Sequence, residues 1–268
     1  MKTLIFKIIS IFLLLISSQM KLVSQSINYA INDTMYVYAF NGLNIREQQN
    51  MKAKVIEKID FGQKVEIIGI AENPNDNIIV IESLKGNWVR VKYNNMIGYA
   101  FDGYLSKLPN TPFPSTFPVF KHYDKANEDS YEGHQMKAEL SKYIETYYKP
   151  LCETIEYFDP KKGKGGQKLE ITKLQNGYTK IIKVGWEGYA MELLLPKIRL
   201  SEVKNLILYI ARKAIVYPNT YKEINDSLLN INEHSEYQEI LNLSMFWISI
   251  IKYPESDTWS IEFSVAVS

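Results

Sequence analysis

The chain has 268 residues, enough for one large domain or two ordinary ones, and 46% of them are hydrophobic, so a buried core is within reach. A formal net charge of +1 sets up no global field toward DNA, RNA or acidic lipid, which argues against a nucleic-acid partner. The single cysteine, Cys152, excludes an intramolecular disulfide, so stability has to come from ordinary burial.

The chain opens with Met1-Lys2-Thr3, a run of apolar residues to Ile16, and then Ser17-Ser18-Gln19. A basic start, a short apolar middle and small polar residues predict a secretory signal peptide over 1–26, cut between Ser18 and Ser26 with Ser24 the preferred point. The apolar run is short for a membrane span, which needs about 20 residues. Membrane contact is therefore expected only through this segment left uncleaved. No cysteine follows the run, so lipid attachment there is not expected. The protein is expected to be exported, to the periplasm or the exterior.

From Tyr36 to Leu108 the sequence alternates short apolar runs with turn signals. Val55, Ile56 and Ile59 precede a Phe61-Gly62 turn, and Val65, Ile67 and Ile68 follow it. Asn73-Pro74-Asn75-Asp76-Asn77 is a second dense turn signal, Ile78 to Ile81 resumes a strand, and Lys85-Gly86-Asn87 turns again. Trp88, Val89, Val91 and Tyr93 form the next strand, and Ile97 to Phe101 the last. Many short strands with frequent turns predict a small all-β barrel or sandwich. Four separated pieces carry a family resemblance: Leu43-Asn44-Ile45-Arg46, then Gly62 before Val65-Glu66-Ile67-Ile68, then Trp88-Val89-Arg90-Val91, then Gly98-Tyr99 with Tyr104-Leu105. In this order they resemble the bacterial SH3-like domain (SH3b, type 3), over about a quarter of the chain. The resemblance implies an SH3-like barrel over 27–108 that binds a cell-wall peptide or another envelope protein. The polar excursion Glu72–Asn77 departs from the family pattern and is expected to enlarge one barrel loop.

Four prolines between Pro109 and Pro118 remove amide donors and fix φ, which predicts an extended linker over 109–120. Its Pro109-x-x-Pro112 is read as a spacer rather than as a ligand folded back on the barrel. Beyond it, Met136, Leu140, Tyr143, Ile144 and Tyr147 mark one face of a helix over 131–148, stopped by Pro150. Strands are predicted at Leu169–Ile171, Tyr178–Val184 and Tyr189–Leu195, the first two joined by Asn176-Gly177. Ser201 is expected to cap a strong helix whose stripe runs Val203, Leu206, Ile207, Ile210, Ala211, Ala214 and Ile215, with Lys204, Arg212 and Lys213 off it. A weaker helical pattern covers Tyr221 to Leu229. Leu243 to Ile251 and the alternating run Trp259 to Val267 close the chain as a hairpin. Residues 121–268 thus read as an α+β domain, an antiparallel sheet of about five strands with helices on one face.

Domains of the resembled type are often joined to cell-wall hydrolases, so the resemblance raises the question of a catalytic site. Cys152 would need a histidine base, and only His122, His134 and His234 exist, none in an obvious relation to it. The three histidines also lack metal-ligand spacing, so no metal and no cofactor are expected. Glu153 and Glu156, three apart, read as a solvated helical face, and the loop Lys161 to Gly166 reads as a solvated turn rather than a phosphate cradle. The expectation is a secreted, non-catalytic binding protein whose barrel offers exposed aromatics, with Tyr36, Tyr38, Trp88 and Tyr104 as candidates. The alternatives are an envelope hydrolase with an unrecognised C-terminal catalytic domain, or an interaction or inhibitor protein using the sheet of 168–268.

Overall fold

The structure, a computed structural model, describes residues 28–70, 78–82, 84–110, 128–151, 155–158, 168–185, 188–214, 218–231, 237–243 and 246–266. The expected signal peptide, the excursion at Glu72–Asn77, most of the Pro-rich stretch, the loop 161–166, and Cys152, His122 and His234 lie outside these residues.

The first sheet is built from β1 (Thr34–Val37), β2 (Leu43–Arg46), β3 (Val55–Ile59), β4 (Lys64–Gly69), β7 (Trp88–Tyr93), β8 (Met96–Phe101) and β9 (Leu105–Ser106). Its strand order is β3-β2-β8-β7-β4-β1-β9, with all pairs antiparallel. Ile59 of β3 and Leu105 of β9 stand at opposite ends of that order, yet both belong to one buried cluster with Val37, Ile45, Ile67 and Val91. The sheet must therefore curl round a single core, as an SH3-like barrel does. Period-two alternation produces this: Met35 and Val37, Leu43 and Ile45, Val65 and Ile67 point inward on their strands. Gly62 adopts φ +81°, a left-handed conformation that lets the Phe61-Gly62 corner turn. Gly98 serves close approach instead, because a Cβ there would sit 2.7 Å from the carbonyl oxygen of Arg46. Gly98→Ala is expected to lower barrel stability by about 1–3 kcal/mol, the range for overpacking against atoms that cannot move aside. Thermal denaturation would check this, and an unchanged midpoint would contradict it.

A small ribbon of β5 (Ile79–Ile81) and β6 (Leu84–Gly86) precedes β7. Lys85 and Gly86, expected in a turn, are thus in a strand: Leu84 tucks against Trp88 and Phe101, and this burial holds the ribbon down.

The second region has seven antiparallel strands in the order β10-β11-β12-β13-β16-β15-β14. They are β10 (Ile155–Phe158), β11 (Lys168–Lys173), β12 (Thr179–Gly185), β13 (Gly188–Pro196), β14 (Tyr237–Leu243), β15 (Phe246–Tyr253) and β16 (Thr258–Ala266). The expected strands are all present, and the two additional ones, β10 and β14, are the sheet's two edges. Glu156, expected on a helical face, therefore lies in a strand opposite Glu170, because Ile155–Phe158 pairs with β11, and Glu153 lies outside the described residues. At Asn176-Gly177 both φ values are positive, 66° and 79°, and Leu174 N–H bonds to Tyr178 C=O across the turn, as the Asn-Gly hairpin signal requires.

One face of this sheet carries Met191, Leu193, Leu195, Phe246, Ile248, Ile250, Ile261 and Phe263, all buried in one cluster with three helices. The helices are α1 (Glu128–Tyr147), α2 (Leu200–Ala214) and α3 (Pro218–Asn230). α1 contributes Met136, Leu140, Tyr143 and Ile144, the stripe read from spacing. On the other face Glu192 and Glu262 stand directly opposite each other across β13 and β16. Lys183 bridges both, 2.8 Å from Glu192, and the hydroxyls of Ser260 and Ser264 donate to the same pair. Burial disfavours the ammonium of Lys183, but the two carboxylates outweigh it and hold its pKa above the usual lysine value.

Ser201 does not cap α2. It lies inside the first turn, buried, and the start of the helix is fixed by Glu202, whose carboxylate accepts the backbone N–H of Arg199 at 3.2 Å. This is the acidic half of a capping box, with Arg199 in the capping position.

Barrel and second region share buried side chains. Tyr38, Phe61 and Leu108 belong to the same cluster as α1, α2 and the second sheet. Tyr209 of α2 is the junction: its ring lies 5.9 Å from Tyr38, 6.0 Å from Phe61 and 6.0 Å from Tyr143. Beside it runs a buried polar seam. Arg199 places Nη1 2.8 Å from Asp102 Oδ2 and Nε 3.2 Å from Glu202 Oε2, and donates through Nη2 to the carbonyls of Asp102 and Leu105. Glu202 also accepts from Ser106 Oγ, Lys107 N–H and Asn28 Nδ2, and Tyr29 donates its hydroxyl to Asp102. Burial, then the neighbouring Asp102, pushes the Tyr29 phenol far above its ordinary range, so it stays a donor.

Candidate functional site

A groove of about 520 Å³ opens between the barrel and the helices. That volume lies within the range of small-ligand sites. The barrel supplies one wall through the β1–β2 connection (Tyr38 to Gly42), the β5–β6 ribbon (Ile81, Glu82, Leu84) and the rings of Trp88, Phe101 and Tyr104. The facing wall is helical: Lys204, Asn205, Leu208 and Arg212 from α2, Tyr221, Asn225 and Leu228 from α3.

The local packing explains why these rings stand where they do. Trp88 and Phe101 are directly opposed across β7 and β8, and Leu84 of the ribbon packs with them. Tyr104, in the 3-10 turn Asp102–Tyr104, sets its ring edge-on to Phe101 at 5.6 Å and donates its hydroxyl to Glu82 at 2.5 Å. Burial, reinforced by that carboxylate, raises the Tyr104 phenol well above its usual value, so it remains a neutral donor at physiological pH. On the helical side Arg212 lies over the Phe40 ring at 4.1 Å and over Tyr221 at 5.7 Å. Asn205 donates to the carbonyl of Gly103 and ties the two walls together.

Of the four aromatics named from sequence, Tyr38, Trp88 and Tyr104 line this groove and Tyr36 does not. Tyr36 packs on the edge of the shared core with the Lys64 ammonium 5.2 Å over its ring. Expected exposure does not hold for Tyr38, which is 1% exposed because it packs against Tyr209 and donates its hydroxyl to Pro109 C=O at 3.0 Å. Trp88 is likewise buried and forms the floor, whereas Tyr104 is half-buried. Lys204 does not face solvent either: it is buried between helices with Nζ donating to Ile231 C=O. The helical wall was missed by sequence reasoning. Its only visible trace is that Lys204 and Arg212 fall off the apolar stripe of α2, a pattern shared by any solvated helix face.

His134 sits exposed on α1. Among the described residues no group of three or more His, Cys, Asp or Glu side chains is placed to hold a metal ion, and no helix is long and apolar enough to cross a membrane.

In comparisons with known proteins, no curated protein and no solved structure matches this chain. A family model does match, the one described as bacterial SH3 domain, over residues 41–106. The structure extends that unit at its start, since β1 lies before the matched span yet pairs with both β4 and β9. A bacterial SH3 domain thus occupies residues 41–106, and the rest of the chain carries no family match.

Proposed function

We propose that this is an exported, non-catalytic binding protein that holds a short extended peptide, of the cell wall or of an envelope protein, in the groove between barrel and helices. One observation carries the reading: the half-buried ring of Tyr104, in a bacterial SH3 domain, lines a groove also lined by Asn41, Asn44 and Asn225. Each amide side chain offers a donor and an acceptor, the complement of a peptide main chain. Flat rings supply apolar contact area at little entropic cost. Bacterial SH3 domains generally mediate non-catalytic binding to peptidoglycan or protein, which agrees with this use. The export assignment rests on the first 26 residues of the sequence.

Retention of the mature chain on insoluble peptidoglycan tests the proposal. Tyr104→Ala should lower retention about tenfold, the scale of losing one well-placed aromatic contact in a binding site. Tyr36→Ala, outside the groove, should leave retention unchanged. Equal retention of both variants would move the ligand elsewhere, and no retention of the parent protein would remove the cell-wall version.

A further inference from the structure

The segment that leads into β1 is held by both units. On the barrel side Asn32 N–H donates to Ile67 C=O at 2.7 Å, Ile67 N–H donates to Asp33 C=O at 2.9 Å, and the Asp33 carboxylate lies 2.9 Å from Lys107 Nζ. Asn32, at φ +75°, turns the chain here, a conformation that asparagine adopts more readily than most residues. The Tyr29 ring is buried in the barrel's own cluster with Met35, Val37 and Leu105. On the other side the Asn28 amide reaches the second region: Nδ2 donates to Lys197 C=O at 2.8 Å and to Glu202 Oε2 at 2.7 Å. The Arg199 guanidinium lies 4.9 Å over the centre of the Tyr29 ring.

These contacts bridge two units rather than complete one. Residues 28–33 precede the family match, which begins at residue 41. Both acceptors of Asn28 Nδ2 belong to the second region, so this amide serves the junction and not the barrel. Asn28 is half-buried, whereas Arg199, Asp102 and Glu202 behind it are buried. Its two bonds are therefore the outermost of the junction, the ones that water reaches first and that open at the lowest free energy. Once they open, Glu202 keeps Arg199, Ser106 and Lys107 as partners but has lost one of its donors.

We infer that residues 28–33 form a strap that fastens the barrel to the second region, with Asn28 as its releasable tip. Loss of that tip, by trimming or by substitution, loosens the junction and with it the spacing of the groove walls, which belong to these two units. Hydrogen exchange on the whole mature chain tests this. Lys107 N–H donates across the junction to Glu202 Oε1, so its exchange reports the junction directly. In the parent protein it should exchange faster than the amides of β4 and β7, because the strap releases before the barrel opens. Asn28→Ala should speed it about tenfold or more, the scale of one hydrogen bond on a charged acceptor. Lys54→Met, which breaks an exposed ion pair within the barrel, should leave it unchanged. An unchanged Lys107 rate in Asn28→Ala overturns the inference, since the tip would then carry no part of the junction. A parent Lys107 that exchanges as slowly as β4 and β7 also overturns it, since the junction would then open only with the whole fold. Asn28→Ala leaves the Tyr29 ring in place, so the barrel's core is untouched. The readout needs no ligand, so its failure is distinct from a failure of the groove to bind peptidoglycan.

Discussion

Arg199→Met should lower the unfolding free energy by about 3–5 kcal/mol, the cost of leaving buried charges without their partner. The side chain of Arg199 is 4% exposed, those of Asp102 and Glu202 are 2% and 0%, and one guanidinium answers both carboxylates. Removing it leaves two carboxylates together in a dry seam, where their repulsion is little screened. Neither can simply turn away, because Asp102 also accepts from Asn87 N–H at 2.6 Å and Glu202 from Lys107 N–H at 2.7 Å. Glu202→Gln added to Arg199→Met should therefore recover part of the loss. An amide oxygen in the place of Oε1 still accepts from Ser106 Oγ and Lys107 N–H while one unpaired charge is gone. Lys54→Met, which breaks an exposed pair with Glu47, should change stability by no more than about 1 kcal/mol. Urea denaturation measures all three. A loss below about 1 kcal/mol for Arg199→Met would mean that water reaches the seam.

The seam has a functional consequence. Asp102 stands immediately before Gly103 and Tyr104, and Arg199 immediately before α2. The same contacts that tie barrel to helix thus fix the distance between the two walls of the groove. A site of this kind depends on walls that do not drift, because a ligand gains little from contacts that must first be assembled.

Sequence reading reached the parts of the fold that local pattern encodes. Trp259, Ile261, Phe263 and Val265 alternate with polar residues, and they form the interior strand β16. The edge strands escaped for a physical reason. β10 is only four residues, Ile155–Phe158, and β14 (Tyr237–Leu243) mixes polar and apolar residues without clean alternation. An edge strand needs less apolar surface than a central one, so it leaves a weaker imprint. For the groove, the barrel's share was legible because Trp88 and Tyr104 lie in the pieces that resemble a known family. The helical share was not. Arg199 reads as a basic residue between a strand-ending Pro196 and a helix, and its partner Asp102 lies 97 positions away. Nothing local distinguishes it from a solvated arginine. Lys204 and Arg212 are hidden in the same way, since a helix can be amphipathic against a second unit as readily as against water.

Tyr209→Ala should cost about 3–5 kcal/mol, the range for deleting a large buried aromatic whose cavity cannot close. Tyr209 is 1% exposed and touches the rings of Tyr38 and Phe61 from the barrel and Tyr143 from α1. Those neighbours are held by separate elements, so collapse into the void would require barrel and helices to shift together. The loss should be unlike that of Arg199→Met in kind, because no charge is stranded and the effect is insensitive to salt. Tyr209→Phe keeps the ring contacts and should lose much less. Hydrogen exchange read separately on the two sheets provides the sharper measurement. In the parent protein β4 and β7 of the barrel should open with about the same free energy as β13 and β16, because Tyr38, Phe61 and Leu108 bury the barrel in the cluster of the second sheet while the barrel keeps a core of its own. In Tyr209→Ala the two sets should separate, and the affinity of the groove should fall with them. If the sheets stay coupled and binding is unchanged, the shared aromatic core is not what holds the walls in register.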